Sequence, residues 1–164
     1  MSSNLQVSRE DRVLRITLNR PDKRNALSTD LCIQIVDAVE TSWSDKTIGC
    51  VLIDAMGDVF CAGMDLEEAL NSADKTVIHE RIFTLGARAE KPIVGAVQGP
   101  ALGGGVGLVA NAHIAVAAHG CTFGLTEIRV RMWPLVIFRA VTNAVGERRA
   151  VELALTGRIF NVPE

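Results

Sequence analysis

The chain has 164 residues, 48% of them hydrophobic and 22% charged, which suits a single domain with a real core. A net charge of −2 offers no basic face to nucleic acid or an anionic membrane, and 4% aromatics without tyrosine offer no base-stacking platform. Cysteines 32, 50, 61 and 121 form no close pair and no CxxC, and the opening Met-Ser-Ser-Asn-Leu-Gln has no apolar signal core. The expectation is a cytoplasmic protein with buried free thiols. Three scattered histidines (His79, His113, His119) predict no metal site. The longest apolar run, 108–118, is broken by Asn111 and His113, so no segment is expected to span a bilayer.

In chain order, Leu14, Ile16 and Leu18 alternate with Arg15 and Thr17, the pattern of a half-buried strand. It should pair with residues 5–9 across the turn Glu10-Asp11-Arg12. A polar loop over 19–25 follows, then Ser28 caps a helix whose inward face is Leu31, Ile35, Ala38, Val39 and Ser42. Residues 50–53 are wholly apolar, as in a strand covered on both faces. Helices are predicted over 66–70 and 77–89, the second ended by Pro92, and a buried strand over 93–97. A short helix from Gly104 to about Ala112 precedes a strand over 114–118 and another at 122–124. Pro134 suits the first turn of a helix through Val145, and Glu147 starts a last helix ending near Thr156-Gly157. Residues 158–164 read as a connection into another element. Strands alternating with helices define an α/β fold.

Residues 99–107 read Gly-Pro-Ala-Leu-Gly-Gly-Gly-Val-Gly. A glycine triplet opening an apolar helix leaves backbone N–H groups unobstructed at a positive helix end, where developing negative charge is stabilised. Gly105-x-Gly107-x-x-Ala110 also satisfies a dinucleotide fingerprint in form. Its context is wrong, because several elements precede it and no acidic residue ends the next strand. Upstream, Phe60-Cys61-Ala62-Gly63-Met64-Asp65-Leu66 supplies a second glycine turn before a helix. Two such loops can aim two amides at one carbonyl oxygen; the plainer reading is glycines that let a helix pack closely.

A covalent acyl-enzyme is disfavoured, since 99–107 holds no Ser, Thr or Cys and the chain has no Gly-x-Ser-x-Gly. Cys61, between Phe60 and Ala62, reads as a packed thiol. Chemistry through an enolate remains, and it needs a base. Glu127, among Phe123, Leu125 and Ile128, is the candidate, because burial there would raise its pKa. The alternative is a surface glutamate paired with Arg129 or Arg131.

These motifs resemble the crotonase, or enoyl-CoA hydratase/isomerase, family. The likeness runs from residues 18–27 through 60–66 and 99–107 to 123–134, then more loosely through Gly146-Glu147-Arg148-Arg149 and Leu155-Thr156-Gly157-Arg158. It implies a ClpP/crotonase-like spiral of ββα units, with residues 1–164 as a core domain lacking the family's usual C-terminal helices. It implies that the Met64 and Gly104 amides polarise an acyl-CoA thioester carbonyl and that Glu127 moves the proton. Substrate contacts would fall to Arg24, Ala26, Ala62, Asp65, Leu66 and Gly103, with Lys23 or Arg24 near phosphates. No separate cofactor is implied, because coenzyme A enters with the substrate. A homo-oligomer, trimeric or a dimer of trimers, is expected.

Four positions depart from the family pattern. Gly107 stands where hydratases carry a first glutamate, Ala112-His113 replaces Cys-Asp, Arg131 replaces a glycine, and the C-terminal helices are missing. A single carboxylate suits a 1,3-proton shift on a 3-enoyl-CoA slightly better than hydration of a 2-enoyl-CoA. Family frequency favours hydration. A non-catalytic acyl-CoA-binding or structural paralogue is the third reading.

Overall fold

A computed structural model describes residues 3–69 and 76–164, the side chains of Leu66, Ala69 and Thr76 excepted. Strands β1 (Leu5–Glu10) and β2 (Val13–Leu18) form the expected hairpin, with Asp11 in the left-handed region at its turn. β2 then pairs in parallel with β3 (Cys50–Ala55), so it has a strand on either side. Ile16 and Leu18 are fully buried, and Thr17 on the opposite face is nearly so. The half-buried expectation holds only for the first half of β2.

Helix α1 (Thr29–Ser44) begins where Ser28 Oγ accepts a hydrogen bond from Leu31 N at 3.2 Å. The helical period then buries Leu31, Ile35, Val39 and Ser42 against the sheet, with Cys32 and Val36 beside them. After β3 come α2 (Leu66–Ala69), α3 (Thr76–Phe83) and α4 (Leu85–Arg88). The predicted helix 77–89 is thus two helices. Thr84 stands between them, its Oγ1 donating to Glu80 O at 2.8 Å and accepting from Arg88 Nε at 3.2 Å. The break lets Gly86 press its backbone on Asn111, whose Oδ1 accepts from Gly86 N at 3.1 Å, and no side chain at 86 would fit.

The remaining elements are β4 (Ile93–Val97), β5 (Ala101–Leu102), α5 (Gly104–Asn111), β6 (Ile114–Ala117) and β7 (Thr122–Gly124). A 3-10 turn at Thr126–Val130, α6 (Leu135–Val145), α7 (Glu147–Thr156) and β8 (Ile159–Asn161) complete the chain. Pro134 stands at the N-cap of α6 rather than inside its first turn. The stretch read as a connection contains β8, antiparallel to β7, with the Phe123 and Phe160 rings stacked 5.5 Å apart.

Two layers result. The larger sheet has the order β1-β2-β3-β4-β6, and the smaller β5-β7-β8. Single parallel bridges, Leu27 with Met64 and Cys61 with Ala101, extend the smaller layer toward α1. Each turn of chain therefore lays one strand in the large sheet, one short strand in the second layer, and then a helix. This is a spiral of ββα units. Met64 lies at the end of one second-layer segment, and Gly104 and Glu127 lie just past those of the next two turns.

Candidate active site

Residues 61–65 run between two neighbours. Leu27 N donates to Gly63 O at 2.8 Å and Asp65 N donates to Leu27 O at 3.0 Å. In this parallel pattern the residue between, Met64, points its own N–H to the other side. On that side Leu102 N donates to Cys61 O at 2.9 Å, which brings the glycine loop alongside. Gly63 takes φ +103°, and a Cβ there would lie 3.1 Å from Leu102 O and 3.4 Å from Gly104 N. Glycine is required by both conformation and space. Cys61 O lies so close to Gly105 that no side chain is possible there.

Gly104 is the first residue of α5, so its N–H has no intrahelical acceptor. Among the described residues, neither Met64 N nor Gly104 N donates to any group of the protein. Gly103 before it has φ +51° and ψ −120°, open in practice only to glycine. Its own N–H is used elsewhere, donating to Gly124 O at 2.9 Å. That bond ties the glycine loop to β7 and thus to the segment carrying Glu127.

The Glu127 side chain turns toward this loop. A Cβ on Gly103 would lie 3.0 Å from Glu127 Oε1 and 3.5 Å from its Cδ. Burial pushes the Glu127 carboxyl above the usual carboxylate range, opposed only by its own backbone N–H. Its Oε2 is buried without a hydrogen-bond partner. No ion pair forms with Arg129 or Arg131. Arg129 Nη2 instead donates to Gly157 O at 2.7 Å, while Arg131 takes φ +61° and closes the turn through its backbone N–H. A half-buried carboxyl with one oxygen lacking a partner is chemically available for proton transfer.

Gly107 faces a wall. A Cβ there would meet Ile137 Cγ2 at 2.5 Å and Phe83 Cε1 at 2.8 Å, and Phe83 Cζ also abuts Gly104. Phe83 and Ile137 were not legible as site residues, because nothing in a linear pattern joins α3 to α6 across α5. Cys61 is fully buried and its thiol is pushed up to about 12, which removes it as a nucleophile.

The loop before α1 is organised by residues that sequence reasoning passed over. Asn25, fully buried at φ +53°, accepts from Arg20 N at 2.8 Å and donates to Met56 O and Val59 O. Its signal was the asparagine itself, a residue that tolerates the left-handed region. Arg20 bonds Ala26 O at 2.7 Å and pairs with Asp65 at 3.2 Å. The Asp65 carboxylate is thus engaged by Arg20, while Ala62 N donates to Arg24 O at 3.0 Å. Arg24, Ala26, Ala62 and Asp65 converge here; Leu66 begins α2, and its side chain lies outside the described residues. Lys23 reaches Glu67 at 3.6 Å on the exposed side.

The chain belongs to the enoyl-CoA hydratase/isomerase family, whose model matches residues 8–164. It is 34% identical over 168 residues to "Enoyl-CoA hydratase EchA19" of Mycobacterium tuberculosis, covering 96% of this chain and 63% of that protein. It is 35% identical over 159 residues to "2,3-dehydroadipyl-CoA hydratase" of Escherichia coli, covering 94% and 62%. The structure of an enoyl-CoA hydratase from Mycobacterium smegmatis superposes with a TM-score of 0.93 at 28% identity, covering 99% of this chain and 66% of that one. The chain therefore spans somewhat under two thirds of the length of these relatives.

Proposed function

We propose that residues 1–164 form the crotonase-like core domain of an acyl-CoA enzyme that works through a thioester enolate. The thioester oxygen is held by the Met64 and Gly104 amides, each such donor contributing about 2.7–4 kcal/mol to the transition state. Glu127 is the one base: its carboxylate takes a proton from C2 of a 3-enoyl-CoA as the enolate forms. The double bond moves from C3–C4 to C2–C3 when the same proton returns to C4. Arg24, Ala26, Ala62, Asp65, Leu66 and Gly103 form the substrate-binding rim.

The observation that carries this reading is the Glu127 carboxylate against Gly103 with a buried, unpartnered Oε2. Support for a proton shift over water addition comes from Phe83 and Ile137, which fill the space beside Gly107 with apolar atoms. The three atoms nearest a Cβ at Gly107 all belong to these two apolar side chains. The second reading, hydration of a 2-enoyl-CoA with Glu127 serving both proton transfers, is favoured by the names of the relatives.

Purified protein assayed against paired 2-enoyl and 3-enoyl thioesters tests both. Interconversion of the double-bond isomers supports the first reading, and formation of a 3-hydroxyacyl thioester supports the second. Thioester binding with neither product makes the chain a binding paralogue. Self-association belongs to the same proposal, because Met132, Trp133, Leu135 and Val136 form an exposed apolar run beside the site.

A further inference from the structure

Glu127 sits on a five-residue 3-10 turn, a geometry with weak hydrogen bonds and little rigidity of its own. Its Oε2 accepts nothing, and the carboxyl's one recorded hydrogen bond comes from its own backbone N–H. The turn must be held through its surroundings. Upstream, Gly124 O accepts from Gly103 N; downstream, Arg131 N and Met132 N both donate to Glu127 O. The third attachment is remote in sequence. Arg129 Nη2 donates to Gly157 O at 2.7 Å, across 28 positions.

The partner is built to receive it. Gly157 caps α7 at φ +59°, and its N–H donates to Leu153 O at 3.0 Å. Ile128 Cγ2 occupies the space where a Cβ on Gly157 would come within 2.6 Å. Two adjacent side chains of the Glu127 turn thus dock on one glycine. A guanidinium beside the carbonyl end of a helix is also favoured by the helix dipole. On a three-residue-per-turn helix, residues 127 and 129 project in different directions. Glu127 reaches Gly103 while Arg129 grips α7, so the turn is clamped between the two.

We propose that Arg129 is a positioning residue for the base, tying the Glu127 turn to the α7 cap at Gly157. The inference rests on the role of Glu127 given under Proposed function. Arg129→Ala lowers kcat by roughly ten- to hundredfold with KM for the thioester within twofold, since small misplacements of a reacting group cost that much. Arg129→Lys restores most of the loss, because an ammonium can still reach the carbonyl. Wild-type kcat in Arg129→Ala with Glu127→Gln inactive overturns the positioning role alone. A rise in KM that matches the fall in kcat, or no rescue by lysine, also overturns it. Turnover retained in Glu127→Gln overturns the base assignment and this inference together.

Discussion

Gly103 and Glu127 are fitted to one another: a methyl group on Gly103 would stand 3.0 Å from Glu127 Oε1. Gly103→Ala therefore meets both a glycine-only backbone conformation and the carboxylate. The expected cost is about 1–3 kcal/mol of stability from the backbone alone, read in denaturant unfolding. Turnover should fall further than stability explains, since Glu127 has to move.

Glu127→Gln should abolish turnover while acyl-CoA binding survives, with a loss of at least about 10²-fold for a missing general base. The wild-type rate should fall on the acid side with a midpoint above the ordinary glutamate range, because burial raises the carboxyl. The stability sign follows from the same shift. A carboxyl whose folded pKa is raised ionises first in the unfolded chain, so the folded state loses stability as pH rises from the unfolded pKa to the folded one. The Gln variant lacks that loss, and its melting temperature should exceed wild type at neutral pH but not at acid pH.

Gly107→Glu should not by itself install a second catalytic carboxylate. Ile137 and Phe83 occupy the space, so overpacking costs about 1–3 kcal/mol before any charge is buried. Joining it with Phe83→Ala should recover part of the stability, visible as coupling in a double-mutant cycle by thermal unfolding.

Asn25→Ala should strand Met56 O, Val59 O and Arg20 N at once. With about 1–3 kcal/mol for each buried group left unpaired, a loss of at least about 2 kcal/mol is expected in urea unfolding. Acyl-CoA affinity should drop with it, because the loop presenting Arg24 and Ala26 is shaped by Asn25.

The purified chain should associate in sedimentation velocity, through the exposed run Met132, Trp133, Leu135 and Val136. Leu135→Lys should shift the distribution toward monomer without changing the far-ultraviolet spectrum.

Local chemistry made several elements legible in advance. The hairpin of β1 and β2, the Ser28 cap, the inward face of α1 and the two glycine loops each follow from residues a few positions apart. Position 103 needs φ +51° together with ψ −120°, and position 63 needs φ +103°; only glycine meets such demands easily. The raised carboxyl of Glu127 was likewise foreseeable from its apolar neighbours.

Other features exist only by pairing at a distance. β5 and β8 have two and three residues, too few to show a period, and each is a strand because β7 lies beside it. The break between α3 and α4 answers to Asn111, and the wall at Gly107 to Phe83 and Ile137. So the amino-acid order determined which backbone groups were free to meet a charge, since conformational freedom and capping are properties of neighbouring residues. Which side chains surround that place, and that the Glu127 carboxyl turns toward it, was decided by close packing among elements remote along the chain.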